Sequence, residues 1–324
     1  EISEYNLDSK IKLSGICTDK NNVGFPDNKK TQKIAIGIPR HDLFNKAGYK
    51  FPFAKKFRYS TVTTTWGCPY ACSYCTDGNI PATVRPVDEI IEEMALIKKI
   101  GIDEIFFSDK VFGFPIAERR QLLIAMIDNN FNFSWSCYFH PSLYDDSFLK
   151  LMKEAGCHTI ITGIDSADLV SLRKYNRHVK KTTLISLLND ANNLGINVCA
   201  DFIIGLDHES VEDINETIKF SLELPLDFAS FNIAAPLPGS SIRIDAIKDG
   251  RLKIDDSSFD TLGRISVLKS SNIDSKTLIK LRNKANRRFY LRPSYILRRL
   301  GRTNTWQYFI NQLLQSISLL RNAF

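Results

Sequence analysis

Tyr59-Ser60-Thr61-Val62-Thr63-Thr64-Thr65 leads, two residues later, into Cys68-Pro69-Tyr70-Ala71-Cys72-Ser73-Tyr74-Cys75. The first run is β-branched through its centre and reads as a strand. The second sets three cysteines at C-x3-C-x2-C spacing in a loop turned sharply by Gly67 and Pro69. Thiolates bind soft metals and iron–sulfur clusters. A [4Fe–4S] cluster normally takes four protein thiolates, so a tight group of three leaves one iron open. Zinc is the competing reading, but a zinc knuckle wants a fourth Cys or His at a defined distance. The flanking histidines, His41 and His140, lie well away along the chain. Unligated core cysteines are a third reading.

Outward from this loop the chain takes up a rhythm. Candidate strands are 58–65, 104–108, 133–139, 158–164, 197–205 and 228–235. Candidate helices lie between them at 87–100, 116–129, 145–155, 181–194 and 210–223. Val87 to Ile97 shows the i, i+3, i+4 apolar spacing of a helix face, and Gly101, Gly156 and Gly195 mark helix ends. Strand–helix alternation implies a parallel sheet. Six strands are too few for an eight-stranded barrel. The pattern therefore predicts an α/β fold, either a partial (βα)6 barrel or an open doubly wound sheet. In both, the site lies at the C-terminal ends of the strands, where the cysteine loop begins.

The 324 residues are 44% hydrophobic and 24% charged, which suffices for a sizeable core. The chain starts at Glu1 rather than Met and reads as a fragment or a processed product. No run of eighteen apolar residues occurs, so no membrane-spanning helix is expected. Seven cysteines, an odd number with three packed within eight residues, do not form a disulfide framework. A reducing cytoplasm is the expected setting. Cys137, Cys157 and Cys199 lie in or beside apolar segments and read as buried structural thiols.

The cysteine loop, its strand and the strand–helix units together resemble the radical S-adenosylmethionine (SAM) superfamily over about residues 58–240. The resemblance implies a radical SAM core with a [4Fe–4S] cluster on Cys68, Cys72 and Cys75. It implies SAM chelated at the open iron and cleaved to a 5′-deoxyadenosyl radical, with electrons from a flavodoxin or ferredoxin. Residues 1–57 then read as a linker or the tail of a preceding domain, and 241–324 as a helical C-terminal extension. Ile36-Gly37-Ile38-Pro39-Arg40-His41-Asp42-Leu43-Phe44 and Arg287-Arg288-Phe289-Tyr290-Leu291-Arg292-Pro293-Ser294-Tyr295-Ile296-Leu297 resemble the linker and tail of the cobalamin-binding branch, whose members include methyltransferases. Cobalamin-assisted methyl transfer, or related C–H functionalisation, follows as the expected activity. Radical SAM chemistry without cobalamin, and a non-catalytic iron–sulfur or zinc protein, are the alternatives.

The same resemblance assigns the SAM site. Tyr74 is expected near the adenine. Asp109, after Phe106-Phe107-Ser108, stands where the family approaches the methionine amino group, although Lys110 replaces a frequent second acid. Asp165 and Ser166, in Thr162-Gly163-Ile164-Asp165-Ser166, stand where relatives carry Gly-x-Glu-Ser. Arg173 is expected on the SAM carboxylate. His140 stands where an Arg is frequent. Asp207 and His208 replace a Pro-Gly pair before Glu209, and Pro236 belongs to a turn beside the adenine. The expected substrate is a small or lipid-like molecule. The basic stretch from Lys280 to Arg302 reads as a cap on the bottom or side of the barrel; contact with an anionic membrane surface is a second reading. Nucleic acid is not expected, since no recognised module is present.

Overall fold

Six parallel strands lie side by side in the order in which the chain makes them. The computed structural model describes residues 32–43, 53–56, 58–207, 209–252 and 273–301. Its strands are β1 (Gln32–Lys33), β2 (Ser60–Val62), β3 (Thr65–Trp66), β4 (Thr83–Val84), β5 (Glu104–Phe112), β6 (Ser134–Phe139), β7 (Cys157–Asp165), β8 (Asn197–Ile204) and β9 (Phe228–Ile233). The main sheet runs β2-β5-β6-β7-β8-β9, every pair parallel. A doubly wound sheet reverses its strand order part-way. This sheet never does, which leaves the partial barrel.

Helices α1 (Val87–Lys99), α2 (Ile116–Asp128), α3 (Asp146–Glu154), α4 (Lys181–Asn193) and α5 (Val211–Glu223) fall within a residue or two of the predicted spans. After them come α6 (Ser241–Lys248), α7 (Ser275–Tyr290) and α8 (Pro293–Gly301). The predicted helix stops hold, with Gly101, Gly156 and Gly195 all at positive φ. The sequence also reads as a short strand at 10–17 and a final amphipathic helix at 307–324, with 254–268 unassigned; these stretches and Cys17 lie outside the described residues.

Alternation along the strands builds two apolar layers. Ile105, Phe107, Trp135, Ile160, Val198 and Phe231 face the helices in one large buried cluster. Phe106, Ile161, Cys199 and Phe228 meet on the opposite, concave face, joined by Phe53 and Tyr59. This second cluster floors the lumen. The space above it, toward the strand C-termini, holds the site. Cys137, Cys157 and Cys199 are buried as expected; desolvation pushes the Cys137 and Cys199 thiols up, as it does any buried acid.

Both sheet edges are covered. An uncovered edge strand presents unpaired backbone groups. On β9, the Tyr290 hydroxyl accepts from Ala229 N–H (3.1 Å) and donates to Ala229 carbonyl (2.7 Å), while Arg282 Nε reaches Phe231 carbonyl (3.2 Å). The basic helix α7 thus seals the side of the barrel with Leu278, Leu281, Ala285 and Phe289 buried beneath it. Beside β2, His41 bridges the Ser60 hydroxyl and Glu93, both at 2.7 Å, and Arg85 takes Glu93's other oxygen at 2.5 Å. The segment before the barrel is pinned there. Among the described residues no helix is long and apolar enough to cross a membrane.

Candidate active site

The cysteine loop does not extend the first barrel strand. After β2 the chain leaves the barrel as β3, which pairs antiparallel with β4 (Thr65↔Val84, Trp66↔Thr83), so the loop is the tip of a short hairpin. Sequence alone predicts one continuous strand because Thr61–Thr65 is β-branched throughout, and β propensity does not mark where a strand changes partners. At the hairpin's mouth Gly67 has φ +71°, and a Cβ there would stand 2.4 Å from the Ile80 carbonyl oxygen. Gly78 packs as closely, with a Cβ falling 2.2 Å from the Tyr70 carbonyl oxygen. Only glycine fits either position.

Three tethers hold the loop over the lumen. Ser73 N–H donates to the Tyr175 carbonyl (2.9 Å), Ile242 N–H to the Ser73 carbonyl (3.1 Å), and Asn79 Nδ2 to the Gly239 carbonyl (2.8 Å). Within it, Cys75 N–H donates to the Cys72 carbonyl at 3.0 Å. Cys68, Cys72 and Cys75 stand half-buried around one cavity of about 340 Å³, together with Tyr70, Tyr74, Asp77, Lys110, His140, Asp165 and Arg177.

A buried charge pair faces these thiols. Arg177 is 5% exposed, and its Nε donates to Asp165 Oδ2 at 2.6 Å. The Tyr74 hydroxyl donates to the same oxygen at 3.0 Å. Asp165 itself adopts φ +67°, a left-handed conformation that Asp tolerates better than most residues. Arg177 also bonds the Gly163 carbonyl and meets His140 Nε2. Burial opposes the Arg177 charge, but Asp165 beside it holds the guanidinium above its ordinary value.

His140 is caught between donors. Its Nδ1 accepts from Ser142 N–H at 3.1 Å while Arg177 points at Nε2. A neutral imidazole can accept at only one nitrogen. Burial, then the Arg177 charge, push its pKa down to about 2, so it does not gain a second proton. Arg177 and Ser142 N–H thus meet the two nitrogens of one neutral ring. Tyr70 stacks on the His140 ring at 3.7 Å, and burial pushes its hydroxyl up to about 12.

The structure does not bring together all of the residues the sequence singles out. Cys68, Cys72, Cys75, Tyr74 and Asp165 meet in the cavity; Asp109, Ser166, Arg173 and Pro236 do not line it. β5 runs on to Phe112, past the predicted end at Ser108, and alternation puts Lys110 on the lumen side and Asp109 on the helix side. Asp109 is fully buried and accepts from Thr64 N–H (2.6 Å), Thr65 N–H (3.2 Å) and the Thr64 hydroxyl. It anchors the chain entering the hairpin. Lys110 faces Asp77 at 3.5 Å instead. Ser166 packs against Thr217 (3.2 Å) and Glu209 (3.5 Å) beneath the strand end. Pro236 gives its carbonyl to Arg243 (3.1 Å), and its turn holds the loop through Gly239 rather than lining the cavity. Arg173 opens onto a different cavity.

Glu209 folds back onto Gly205 N–H (2.7 Å) and Leu206 N–H (2.9 Å), and Ser210 caps α5 in a capping box with Asp213. Sequence reading makes Glu209 or Ser210 a helix N-cap or first-turn residue, and Ser210 is the one that caps. His208 lies outside the described residues. Arg177 and Tyr70 are the residues that sequence reading misses. Arg177 is four residues past Arg173 in a loop without periodicity, and only the turn at Asn176 (φ +55°) decides which basic side chain enters the barrel. Tyr70 sits inside the cysteine spacing, where nothing but its aromatic character marks it.

The donor set matches a cluster better than a single ion. Among the described residues no three His, Cys, Asp or Glu side chains converge on one point. A cubane needs no such convergence, because each thiolate ligates its own iron. Free of metal, burial pushes the Cys68 thiol up to about 11 and raises Cys72 and Cys75. The sequence pattern of the radical SAM superfamily matches residues 62–221, which span this hairpin and the strands through β8.

Residues 62–221 are a radical SAM domain. It is 30% identical over 269 residues to an uncharacterized methyltransferase of Pyrococcus horikoshii, covering 81% of this chain and 57% of that protein. It is 24% identical over 265 residues to the cytidylyl-2-hydroxyethylphosphonate methyltransferase of Streptomyces wedmorensis, covering 77% and 49%. It thus spans about half the length of the curated relatives it matches. Among solved structures it resembles the radical SAM methyltransferase TsrM of Kitasatospora setae, with a TM-score of 0.56, 19% identity, 68% of this chain and 44% of that one. At that identity the likeness speaks for the fold, and the radical SAM partial barrel is the one both share.

Proposed function

We propose that this chain is the SAM-cleaving core of an enzyme that methylates a small molecule at an unactivated position, with cobalamin taking part. One observation carries the core of this reading: three half-buried thiols share a cavity of about 340 Å³ with a buried Asp–Arg pair. That volume is within the usual range for a small-molecule site. Methyl transfer is supported by the names of both relatives above. Cobalamin is supported by the linker and tail resemblance, and by a TsrM structure described with cobalamin and a [4Fe–4S] cluster bound.

In this reading Cys68, Cys72 and Cys75 hold a [4Fe–4S] cluster and leave one iron for SAM. When bound, the reduced cluster supplies the electron that breaks the sulfonium S–C5′ bond. The protein's part is orientation and the exclusion of water. Arg177 offers a donor to the methionine carboxylate, and Asp165 an acceptor to its ammonium. Tyr74 fixes the Asp165 carboxylate. The Tyr70–His140 stack walls one side, and the lumen floor of Phe106, Ile161, Cys199 and Phe228 keeps the cavity dry from below. An external reductant is required. Residues 58–240 form the catalytic core, and the extension after it seals the edge through α7.

Anaerobic reconstitution with iron and sulfide tests the cluster. The account expects a brown protein with about four irons per chain. Stoichiometric zinc without iron–sulfur absorbance would overturn it.

A further inference from the structure

Arg173, His178 and Lys180, with Ser142, Val179 and Thr183, line a second cavity of about 500 Å³. No acidic residue lines it. Among the described residues, the side chains of Arg173, His178, Lys180 and Thr183 make no hydrogen bond or ion pair with the protein. Other bases nearby do find partners: Arg177 pairs with Asp165 and Arg120 with Asp145. Here Arg173 and Lys180 border one concavity whose lining, among the described residues, holds no acid.

The second cavity is a direct neighbour of the first. Arg177 lines the thiol cavity, and His178, the next residue, lines this one. His140 lines the first and Ser142 the second, with the Ser142 hydroxyl donating to the His178 carbonyl at 3.0 Å. The same two loops thus line both cavities. Positive charge in a concave site raises the local concentration of anions, and Arg and Lys are groups that recognise phosphate oxygens.

We propose that this cavity binds an oxyanion, a phosphate or diphosphate group of a small molecule, and so anchors the remote end of the substrate. The anchoring clause rests on the function proposed above; the anion site does not. The volume exceeds that of a single phosphate and leaves room for a diphosphate with part of the group it carries. A bound anion here fixes the distance from its phosphorus to the atom presented beneath the cysteine loop, and so selects substrates by length.

Titration of inorganic pyrophosphate into the full chain, followed by calorimetry, tests this directly. One saturable site is expected, weakened at least tenfold in the Arg173→Ala/Lys180→Ala double variant and kept in Arg173→Lys/Lys180→Arg. All these side chains but Thr183 and Val179 are exposed, so the variants should melt with the parent. Cys72→Ala should bind pyrophosphate unchanged. No saturable isotherm, or one indifferent to the double alanine variant, overturns the site. A lipid headgroup carries the same chemistry: cosedimentation with phosphatidylglycerol vesicles, without a pyrophosphate isotherm, also overturns the small-molecule assignment. Pyrophosphate binding by a reconstituted protein that cleaves no SAM would keep the anion site and remove the anchoring clause.

Discussion

Asp109 near the end of β5 and Asp165 at the end of β7 are both acids at the C-terminal rim of the sheet, and they do opposite work. Asp109 turns toward the helices, is wholly buried, and holds Thr64 and Thr65 by their backbone. Asp165 turns into the lumen beside the thiols and holds Arg177 and Tyr74. One step of strand alternation separates an acid that builds the hairpin from an acid that can meet a ligand. Position at a strand end is therefore a weak guide to function in this fold. The side of the strand decides.

Replacing each acid probes that contrast. Asp109→Ala strands buried donors on Thr64 and Thr65 and removes the carboxylate facing buried Arg119, and should lower unfolding stability by about 3 kcal/mol or more in urea denaturation. A change below about 1 kcal/mol would remove its structural role. Asp165→Asn keeps the shape and one acceptor for Arg177. It should cost the reconstituted protein tenfold or more in SAM affinity, about 1.4 kcal/mol by equilibrium dialysis, while destabilising the fold less than Asp109→Ala. If the Asp109 variant lost SAM affinity and the Asp165 variant did not, the comparison would be inverted.

A third acid, Asp201 on β8, sharpens the point. It pairs in register with Gly163, and its carboxyl makes no hydrogen bond among the described residues. Burial, then the Asp165 charge, push its carboxyl up from 3.8 to about 7. Below about pH 4 it is protonated whether the chain is folded or not. Between there and pH 7 the folded chain keeps a proton that the unfolded chain has released, so stability falls as pH rises. The slope stays under the single-group ceiling of about 1.4 kcal/mol per pH unit, and Asp201→Asn should flatten it. Melting curves from pH 4 to 8 that are parallel in the two proteins would contradict this. Ser166→Ala, behind the strand end, is the mildest change: about 1 kcal/mol of stability and no effect on SAM binding.

Much of this was legible in the residues. Six strands and five helices follow from periodicity and glycine stops, because each element buries one face and ends at a residue that cannot continue it. The three thiols were legible because their spacing is local. Asp165 and Tyr74 came from a family resemblance and find each other in space. Asp109 was misplaced because β5 runs four residues past its apolar stretch, and a strand's parity is invisible when its end is. Arg173 was preferred over Arg177 because the loop after β7 has no period to say which base turns inward. The hairpin of β3 and β4 was missed because two-residue strands leave no pattern.

In the function proposed above, Cys68, Cys72 and Cys75 hold a cluster that opens SAM. The most direct measurement is 5′-deoxyadenosine released from SAM by the reconstituted, dithionite-reduced chain, beside Cys72→Ala treated identically. The account predicts nucleoside from the parent protein and none from the variant, with circular dichroism of the two superimposable. Equal release from both, or none from a parent carrying its full iron, would contradict it.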